Sequence, residues 1–226
     1  LAPYGKPIYV DKIKKNLIDI KQDGSFRLNQ SYFDYATKLK MINKKFETLF
    51  GQKTRDPDRE ELSNFHMDIA ASIQKVTEEI LLLICRDIKK KYSNKNICLA
   101  GGVALNCVAN GKILEEKIFE KIWIQPASGD AGGSLGAALA FWYNEKDNTR
   151  VVKQENSTED EMNGSFLGNS YLNSDIEKVL KKSNAVYKFL DDDDLIKSTA
   201  KKLSEGNAVG WFQDRMEFGP RSLGSR

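Results

Sequence analysis

The strongest pattern in the chain is a stripe of apolar residues spaced three and four apart between positions 64 and 91. Its members are Phe65, Ile69, Ile73, Val76, Ile80, Leu83 and Ile84. This spacing gives a helix one apolar face and predicts a single long helix of about 40 Å. The run Lys89–Lys91 favours a helix C-terminus there, because the helix dipole attracts positive charge.

Shorter patterns on both sides of this helix predict alternating strands and helices. Asp23-Gly24 separates apolar runs at 17–20 and 26–28, which predicts a β-hairpin. Helical spacing over 35–50 predicts a further helix. Two strand–turn–helix units are expected next, with strands at 96–100 and 121–125 and helices at 105–119 and 133–143. Strands alternating with helices are typical of an α/β domain.

A polar stretch at 145–163 interrupts this pattern and predicts a linker. The elements expected after it are a helix at 174–180 opening on a Ser174–Glu177 capping box, a strand at 185–190, a helix from the aspartate run 191–194 to 203, and a strand at 208–212.

Composition and charge narrow the classes of protein. The 226 residues carry a net charge of +3, from 35 basic and 32 acidic side chains. That balance is too even to indicate nucleic-acid binding. The longest apolar run, 80–85, is too short to cross a membrane. The cysteines lack C-x-x-C spacing, which indicates reduced thiols in a cytoplasmic protein.

The two ends of the chain indicate a segment of a longer protein. The chain begins at Leu1 rather than methionine and stops shortly after a Gly-Pro-Arg turn. We therefore expect an internal fragment.

Two glycine-rich turns carry the clearest chemical signal. The first spans Leu99–Cys107 and the second spans Pro126–Gly133. Each follows a predicted strand and leads into a predicted helix, where bare backbone and a helix N-terminus favour an anionic ligand. In the first turn, Gly101 and Gly102 would approach a ribose or phosphate, with Asn106 as a hydrogen-bonding side chain. A tight turn without a ligand is the alternative.

Asp130 lies in the second turn, beside Gly129 and the Gly132–Gly133 pair. A carboxylate at this position is a hard oxygen ligand for a divalent metal, which could hold phosphate oxygens. The same carboxylate could instead cap the following helix. Spacing alone leaves both interpretations open.

Arginines follow the last predicted strand. Arg215 and Arg221 lie between Gly210 and Arg226, and guanidinium groups match the oxygens of a phosphate ester. Surface ion pairing is the alternative. The only histidine, His66, lies on the long helix, so we expect it to be structural and expect no multi-histidine metal site within the chain.

Together these segments resemble the NodU-type O-carbamoyltransferase family. The resemblance rests on the runs 99–111, 126–133, 210–213 and 216–221, and it extends to 1–5, 23–26 and 68–74. The runs occur in the family's order and cover nearly the whole chain.

The resemblance implies an α/β enzyme of two parts. Residues 1–145 would form the C-terminal half of an actin-like ATPase-fold (ASKHA-type) carbamoyl-transfer domain, 146–165 a linker, and 166–226 the start of a YrdC-like α/β domain. In this family the YrdC-like domain makes carbamoyl adenylate from carbamoyl phosphate and ATP. The actin-like domain then transfers the carbamoyl group to a hydroxyl of a small-molecule or sugar-containing acceptor, and a divalent metal, iron or magnesium, holds the adenylate.

Site roles also follow from the resemblance. Asp130 would be a metal ligand, Arg215 and Arg221 would bind the anions carbamoyl phosphate and ATP, and Asp23 would be the transfer-site acid. The residues implied to bind the nucleotide are Gly101, Gly102, Val103, Asn106, Gly129, Gly132 and Gly133.

The chain also departs from the family pattern. The family's metal-ligating histidines lie in the half of the actin-like domain that this chain lacks, so a full metal site is not expected here and the isolated fragment should be inactive. Asp214 stands where glycine is expected, and an acid beside Arg215 would weaken anion binding. Ser222 and Ser225 replace an expected alanine and asparagine.

Two other classes of protein compete with this interpretation. One is a different actin-like-fold enzyme, either a tRNA threonylcarbamoyl transferase or a sugar kinase, and the other is a non-catalytic nucleotide-binding module. The run 210–226 favours the carbamoyltransferase, because the rival enzymes would continue without a YrdC-like domain. We expect a small-molecule partner and neither nucleic acid nor membrane, and the sequence leaves the oligomeric state open.

Overall fold

The structure, a computed structural model, describes residues 1–151 and 162–225. It is a mixed α/β chain in which short strands form two-stranded sheets, β1 with β2 and β3 with β4. In chain order the elements are α1 (Val10–Asn16), β1 (Ile18–Ile20), β2 (Phe26–Leu28), α2 (Lys44–Phe50), α3 (Asn64–Lys91), β3 (Asn96–Leu99), α4 (Cys107–Glu115), β4 (Lys121–Ile124), α5 (Gly133–Ala140), α6 (Asn173–Lys182) and α7 (Asp192–Ser204).

The chain divides into two compact units. The first contains Leu1–Cys98 and Asn106–Trp123, and the second contains Leu99–Leu105 and Ile124–Arg226. The domain limits at 145 and 166 rest on the family resemblance and stay a prediction. Much of the expected linker lies outside the described residues.

Helix α3 has the limits that its apolar stripe predicts. It begins after Ser63, whose backbone N–H donates to Nδ1 of His66 at 3.0 Å, and it ends directly after Lys89–Lys91. The bond closes the first turn and gives His66 the structural role expected for it. An apolar stripe of this length predicts the helix limits well, because an α-helix satisfies its backbone hydrogen bonds within its own segment.

The core of the first unit forms where α1, α2 and α3 pack together. Its buried members are Ile13, Leu17, Phe50, Val76 and Ile80. The predicted hairpin is confirmed, because β1 and β2 pair antiparallel from Ile18–Leu28 to Ile20–Phe26. The hairpin turn lies against the same helix, since a Cβ on Gly24 would come within 3.0 Å of Ile84.

The helix predicted over 35–50 is wrong in its first half. Helix α2 begins only after Asn43, whose Oδ1 accepts the Lys45 N–H at 2.9 Å. Ile42 instead forms an isolated antiparallel bridge with Phe33. Because Ile42 is part of this bridge, the helix that the spacing predicts from residue 35 does not form before Asn43.

Helix α7 confirms the predicted acidic start. Oδ1 of Asp191 accepts the Asp194 N–H at 2.8 Å and caps the helix. The capping box predicted for α6 is wrong, because α6 begins at Asn173 after Leu172 and has no side-chain cap. Ser174 therefore lies inside the first turn, where its hydroxyl cannot act as the N-cap.

The strands predicted at 185–190 and 208–212 are wrong for the structure described here. Both segments are without strand pairing in the described part of the chain. A strand is stable only when its backbone groups pair with a neighbour. Among the described residues of the second unit, the buried apolar side chains are Ala104 and Ala127.

Candidate functional site

The first glycine turn exposes bare backbone, as its sequence predicts. Gly101 has φ +93°, in the left-handed region that glycine tolerates, and residues Gly102–Leu105 form a 3₁₀ turn after it. A Cβ on Gly101 or Gly102 would meet nothing within 4 Å. Val103 is 58% exposed. The turn therefore leaves room for a ligand to approach the chain.

Asn106 has a structural role that the sequence did not predict. It is the N-cap of α4, and its Oδ1 accepts the Ala109 N–H at 3.1 Å. Its amide also pairs with that of Gln74 on α3, Nδ2 donating to Gln74 Oε1 at 2.8 Å and Oδ1 accepting from Nε2 at 3.2 Å. These bonds use both lone pairs of Oδ1 and one of the two N–H donors. Within residues 1–151 and 162–225, the structure gives the second N–H no hydrogen-bond partner.

The second turn folds tightly around its own backbone. A Cβ on Gly132 would come within 3.0 Å of the Ala127 carbonyl oxygen, whereas a Cβ on Gly133 would meet nothing within 4 Å. The Gly132 N–H donates to Gly129 O at 3.1 Å. Only glycine fits at position 132 without moving the turn.

The sequence left open whether Asp130 caps the following helix, and in the structure it does not. It is the first residue of the 3₁₀ turn Asp130–Gly132, whose N-cap is Gly129, and α5 follows with Gly132 as its N-cap. Neither start has a side-chain cap. The carboxylate is exposed, beside the N-terminus of α5. That position is compatible with a ligand role and counts against the capping alternative.

The second unit brings the two glycine turns together. The Gly101 N–H donates to Ser128 O at 2.8 Å. A Cβ on Gly129 would lie 3.7 Å from Gly102 Cα, so the two backbones are in close contact. The hydroxyl Oγ of Ser128 is buried and has no hydrogen-bond partner in the described part of the chain. Sequence reasoning gave Ser128 no role, although it stands in the same motif as Asp130.

The arginine-bearing loop also lies against the second turn. Gly219 has φ +128°, and a Cβ there would lie 2.6 Å from the Pro126 carbonyl oxygen. Arg221 follows two residues later and is exposed. The predicted anion-binding loop therefore contacts, through Gly219, the turn that carries Asp130.

Arg215 lies in a different part of this unit. Its guanidinium Nη1 donates to Gly168 O at 2.7 Å, so the side chain ties two backbone segments together. The preceding residue, Asp214, has φ +52°. This left-handed backbone explains in physical terms why glycine suits the position.

Asp23 belongs to the hairpin of the first unit. Its Oδ1 accepts the Ser25 N–H at 2.9 Å and the Ser25 hydroxyl at 2.7 Å. These bonds, the hydroxyl first, hold the pKa of the Asp23 carboxyl below its ordinary value of 3.8. A carboxylate stabilised in this way is a weak base, and its bonds give it a clear role in the turn.

The described residues do not by themselves form a metal centre. Within the ranges 1–151 and 162–225, the structure has no group of three histidine, cysteine or carboxylate side chains that could hold an ion. Asp130 is a hard oxygen donor suited to iron or magnesium, but one carboxylate is far fewer ligands than either ion takes. The donor set present therefore fits a metal only in part.

Comparison with known proteins identifies the family. A family model for the carbamoyltransferase N-terminus matches residues 1–139, and one for the carbamoyltransferase C-terminus matches residues 200–226. The chain belongs to the carbamoyltransferase family. The resemblance found from the glycine and arginine motifs is thereby confirmed.

Bacterial relatives align with the whole of this chain. An uncharacterized protein of Synechocystis, sll1178, is 54% identical over 228 residues, which are 36% of its length. Nodulation protein NolO of Bradyrhizobium diazoefficiens is 33% identical, and nodulation protein NolNO of Sinorhizobium fredii is 32% identical. The chain spans 38% and 30% of those two proteins, so it corresponds to about a third of each relative.

The described helices include no candidate membrane span. None of them is both long enough and apolar enough to cross a bilayer. A cytoplasmic location stays a prediction.

Proposed function

We propose that the full-length protein is an ATP-dependent O-carbamoyltransferase. It would form carbamoyl adenylate from carbamoyl phosphate and ATP, with uptake of water and release of phosphate and pyrophosphate. It would then transfer the carbamoyl group to a hydroxyl of a small-molecule or sugar-containing acceptor. Family membership supports the transferase class. The observation that carries the finer proposal is the meeting of three motifs in one unit, through the Gly101–Ser128 hydrogen bond and the Gly219–Pro126 contact.

Each motif supplies one requirement of that chemistry. The open backbone at Gly101 and Gly102 accepts a nucleotide, because a ligand can reach the chain without meeting a side chain. Arg221 binds an anionic phosphate oxygen. Asp130 would contribute one carboxylate ligand to a divalent metal, and the other ligands would come from the rest of the full-length protein.

The transfer step follows from the reactivity of an acyl phosphate. The acceptor oxygen bonds to the carbamoyl carbon, the bond from that carbon to the phosphate oxygen breaks, and AMP leaves with the electron pair. The hydroxyl proton goes to a base, since this raises the nucleophilicity of the oxygen. The lowered pKa of Asp23 makes it a weak candidate for that base.

Nucleotide turnover by the full-length protein tests the proposal. We expect release of pyrophosphate from ATP only when carbamoyl phosphate is present, and release of AMP when a hydroxyl acceptor takes up the carbamoyl group. Gly102→Ala should raise the KM for ATP about tenfold, because a methyl group would stand between backbone and ligand. Gly136→Ala on α5 is the matched control, since a Cβ there also meets nothing within 4 Å.

Two results would contradict the proposal. Turnover unaffected by carbamoyl phosphate would favour a kinase-like enzyme. The absence of both ATP binding and turnover would favour a protein without nucleotide chemistry.

A further inference from the structure

A buried carboxylate closes the loop that carries Arg221. Glu217 is only 7% exposed and stands at the start of the loop 217–225. Its two carboxylate oxygens accept the Leu223 N–H at 3.2 and 3.0 Å, and Oε1 also accepts the Ser225 N–H at 3.1 Å. One side chain thus joins the beginning of the loop to its end.

The first limb of the loop is anchored by backbone hydrogen bonds. The Phe218 N–H donates to Ser165 O at 2.6 Å, and the Met216 N–H donates to Asn169 O at 2.9 Å. These bonds fix Glu217 between two held residues. The carboxylate then holds the second limb relative to this fixed one.

The closed loop is also docked against the Asp130 turn. Gly219 lies so close to Pro126 O that a side chain at this position would not fit. Pro220 follows, and its ring fixes φ directly before Arg221. Arg221 is therefore placed between a docked glycine and the amides that Glu217 binds.

We propose that Glu217 is a positioning residue that acts through Arg221, holding its guanidinium at the anion site beside the Pro126–Gly133 turn. The proposal rests on the proposed function, in which Arg221 binds an anionic substrate. Backbone N–H groups bound to a buried carboxylate form charge-assisted hydrogen bonds, which are stronger than neutral ones. A loop held in this way loses little conformational entropy when its arginine binds an anion.

Conservative substitution in the full-length protein tests this role. Glu217→Gln keeps one oxygen acceptor but presents an amide N–H₂ to the Leu223 N–H in place of the second oxygen. We expect a KM increase of roughly tenfold for carbamoyl phosphate or for ATP, with kcat changed less, because one contact is lost and the remaining contacts are no longer charge-assisted. Glu217→Ala should have a larger effect. Glu205→Gln, at the exposed end of α7, is the control and should leave both constants unchanged.

A double-mutant cycle separates positioning from general loss of structure. If Glu217 acts through Arg221, Glu217→Gln should have little further effect in an Arg221→Ala background. Effects that multiply independently in the two backgrounds would overturn the proposal. An unchanged KM in Glu217→Gln and Glu217→Ala would also overturn it.

Hydrogen exchange measures loop closure independently of activity. The amides of Leu223 and Ser225 should exchange faster in Glu217→Ala than in the wild type, while the α7 amides stay unchanged. Unchanged exchange at these two amides would overturn the proposal even if activity fell. If the wild type consumed no carbamoyl phosphate but the two amides lost protection in the variant, the proposed function would fail while the loop closure by Glu217 would stand.

Discussion

Two adjacent glycines provide a direct test of how the Asp130 turn is built. Gly132 has φ −81° and ψ −9°, and Gly133 has φ −60° and ψ −39°, values that alanine adopts without strain. Their surroundings differ. A Cβ on Gly132 would come within 3.0 Å of Ala127 O, and a Cβ on Gly133 would meet nothing within 4 Å. Replacing Gly132 by alanine should therefore disturb the packing of the turn, whereas replacing Gly133 should not.

The two substitutions should change the free energy of unfolding in opposite directions. Ala127 is only 1% exposed, so its carbonyl cannot move toward solvent to make room. Gly132→Ala should thus cost about 1–3 kcal/mol, the usual range for overpacking. Gly133→Ala should stabilise by about 0.4–1 kcal/mol, because alanine restricts the unfolded chain more than glycine does. The expected difference between the variants is about 1.5–4 kcal/mol.

Urea unfolding of the wild type and both variants, followed by circular dichroism, measures this difference. With a slope of about 2 kcal/mol per molar urea, the midpoints of the two variants should lie about 0.7–2 M apart. Equal midpoints would refute the reasoning, since they would show that the Ala127 carbonyl does not limit position 132. A lower midpoint for Gly133→Ala than for Gly132→Ala would refute it more strongly.

Four further predictions concern single side chains. Because the pKa of Asp23 is lowered, mainly by the Ser25 hydroxyl, its stabilising effect is present at neutral pH and lost as pH falls through that lowered pKa. Ser25→Ala should raise the pKa toward 3.8, as measured by NMR titration, and unchanged titration would contradict the assignment. Asp23→Asn should keep the turn and leave carbamoyl transfer within about twofold, whereas a loss of about 10²-fold would identify Asp23 as the base. Asp214→Gly should raise the free energy of unfolding by about 1 kcal/mol by relieving φ +52°, and Asp214→Ala should not; equal thermal midpoints would contradict this. Asn106→Ala should cost about 1 kcal/mol or more through the lost α4 cap and the loss of the donor to the Gln74 amide oxygen, with Asn106→Ser retaining the cap; urea midpoints would check both.

The candidate site was predictable in its motifs but not in its internal bonds. The glycine turns stand out in the sequence because each follows a predicted strand and leads into a predicted helix, and the loop with Arg221 stands out because its arginines follow a predicted strand. The roles of Gln74, Ser128 and Glu217 were missed. Each depends on a partner that the local sequence does not name, and the only available signal was their presence inside runs that resemble the family.

The elements that the sequence by itself determined are those that satisfy their hydrogen bonds locally. Helix α3 with its Ser63 start, the Asp23-Gly24 hairpin and the Asp191 cap of α7 all use partners a few residues away. Their stability depends on short-range spacing, which the sequence displays directly.

Tertiary structure decided everything that needs a distant partner. The segments 185–190 and 208–212 have the composition of strands, but a strand needs a neighbour with which to pair. The same holds for the contacts within each unit. The Gly101–Ser128 bond and the Gly219–Pro126 contact of the second unit, and the Asn106–Gln74 pair of the first, join residues far apart in the chain. Such contacts form only when segments distant in sequence pack together, and local sequence patterns do not show which segments do so.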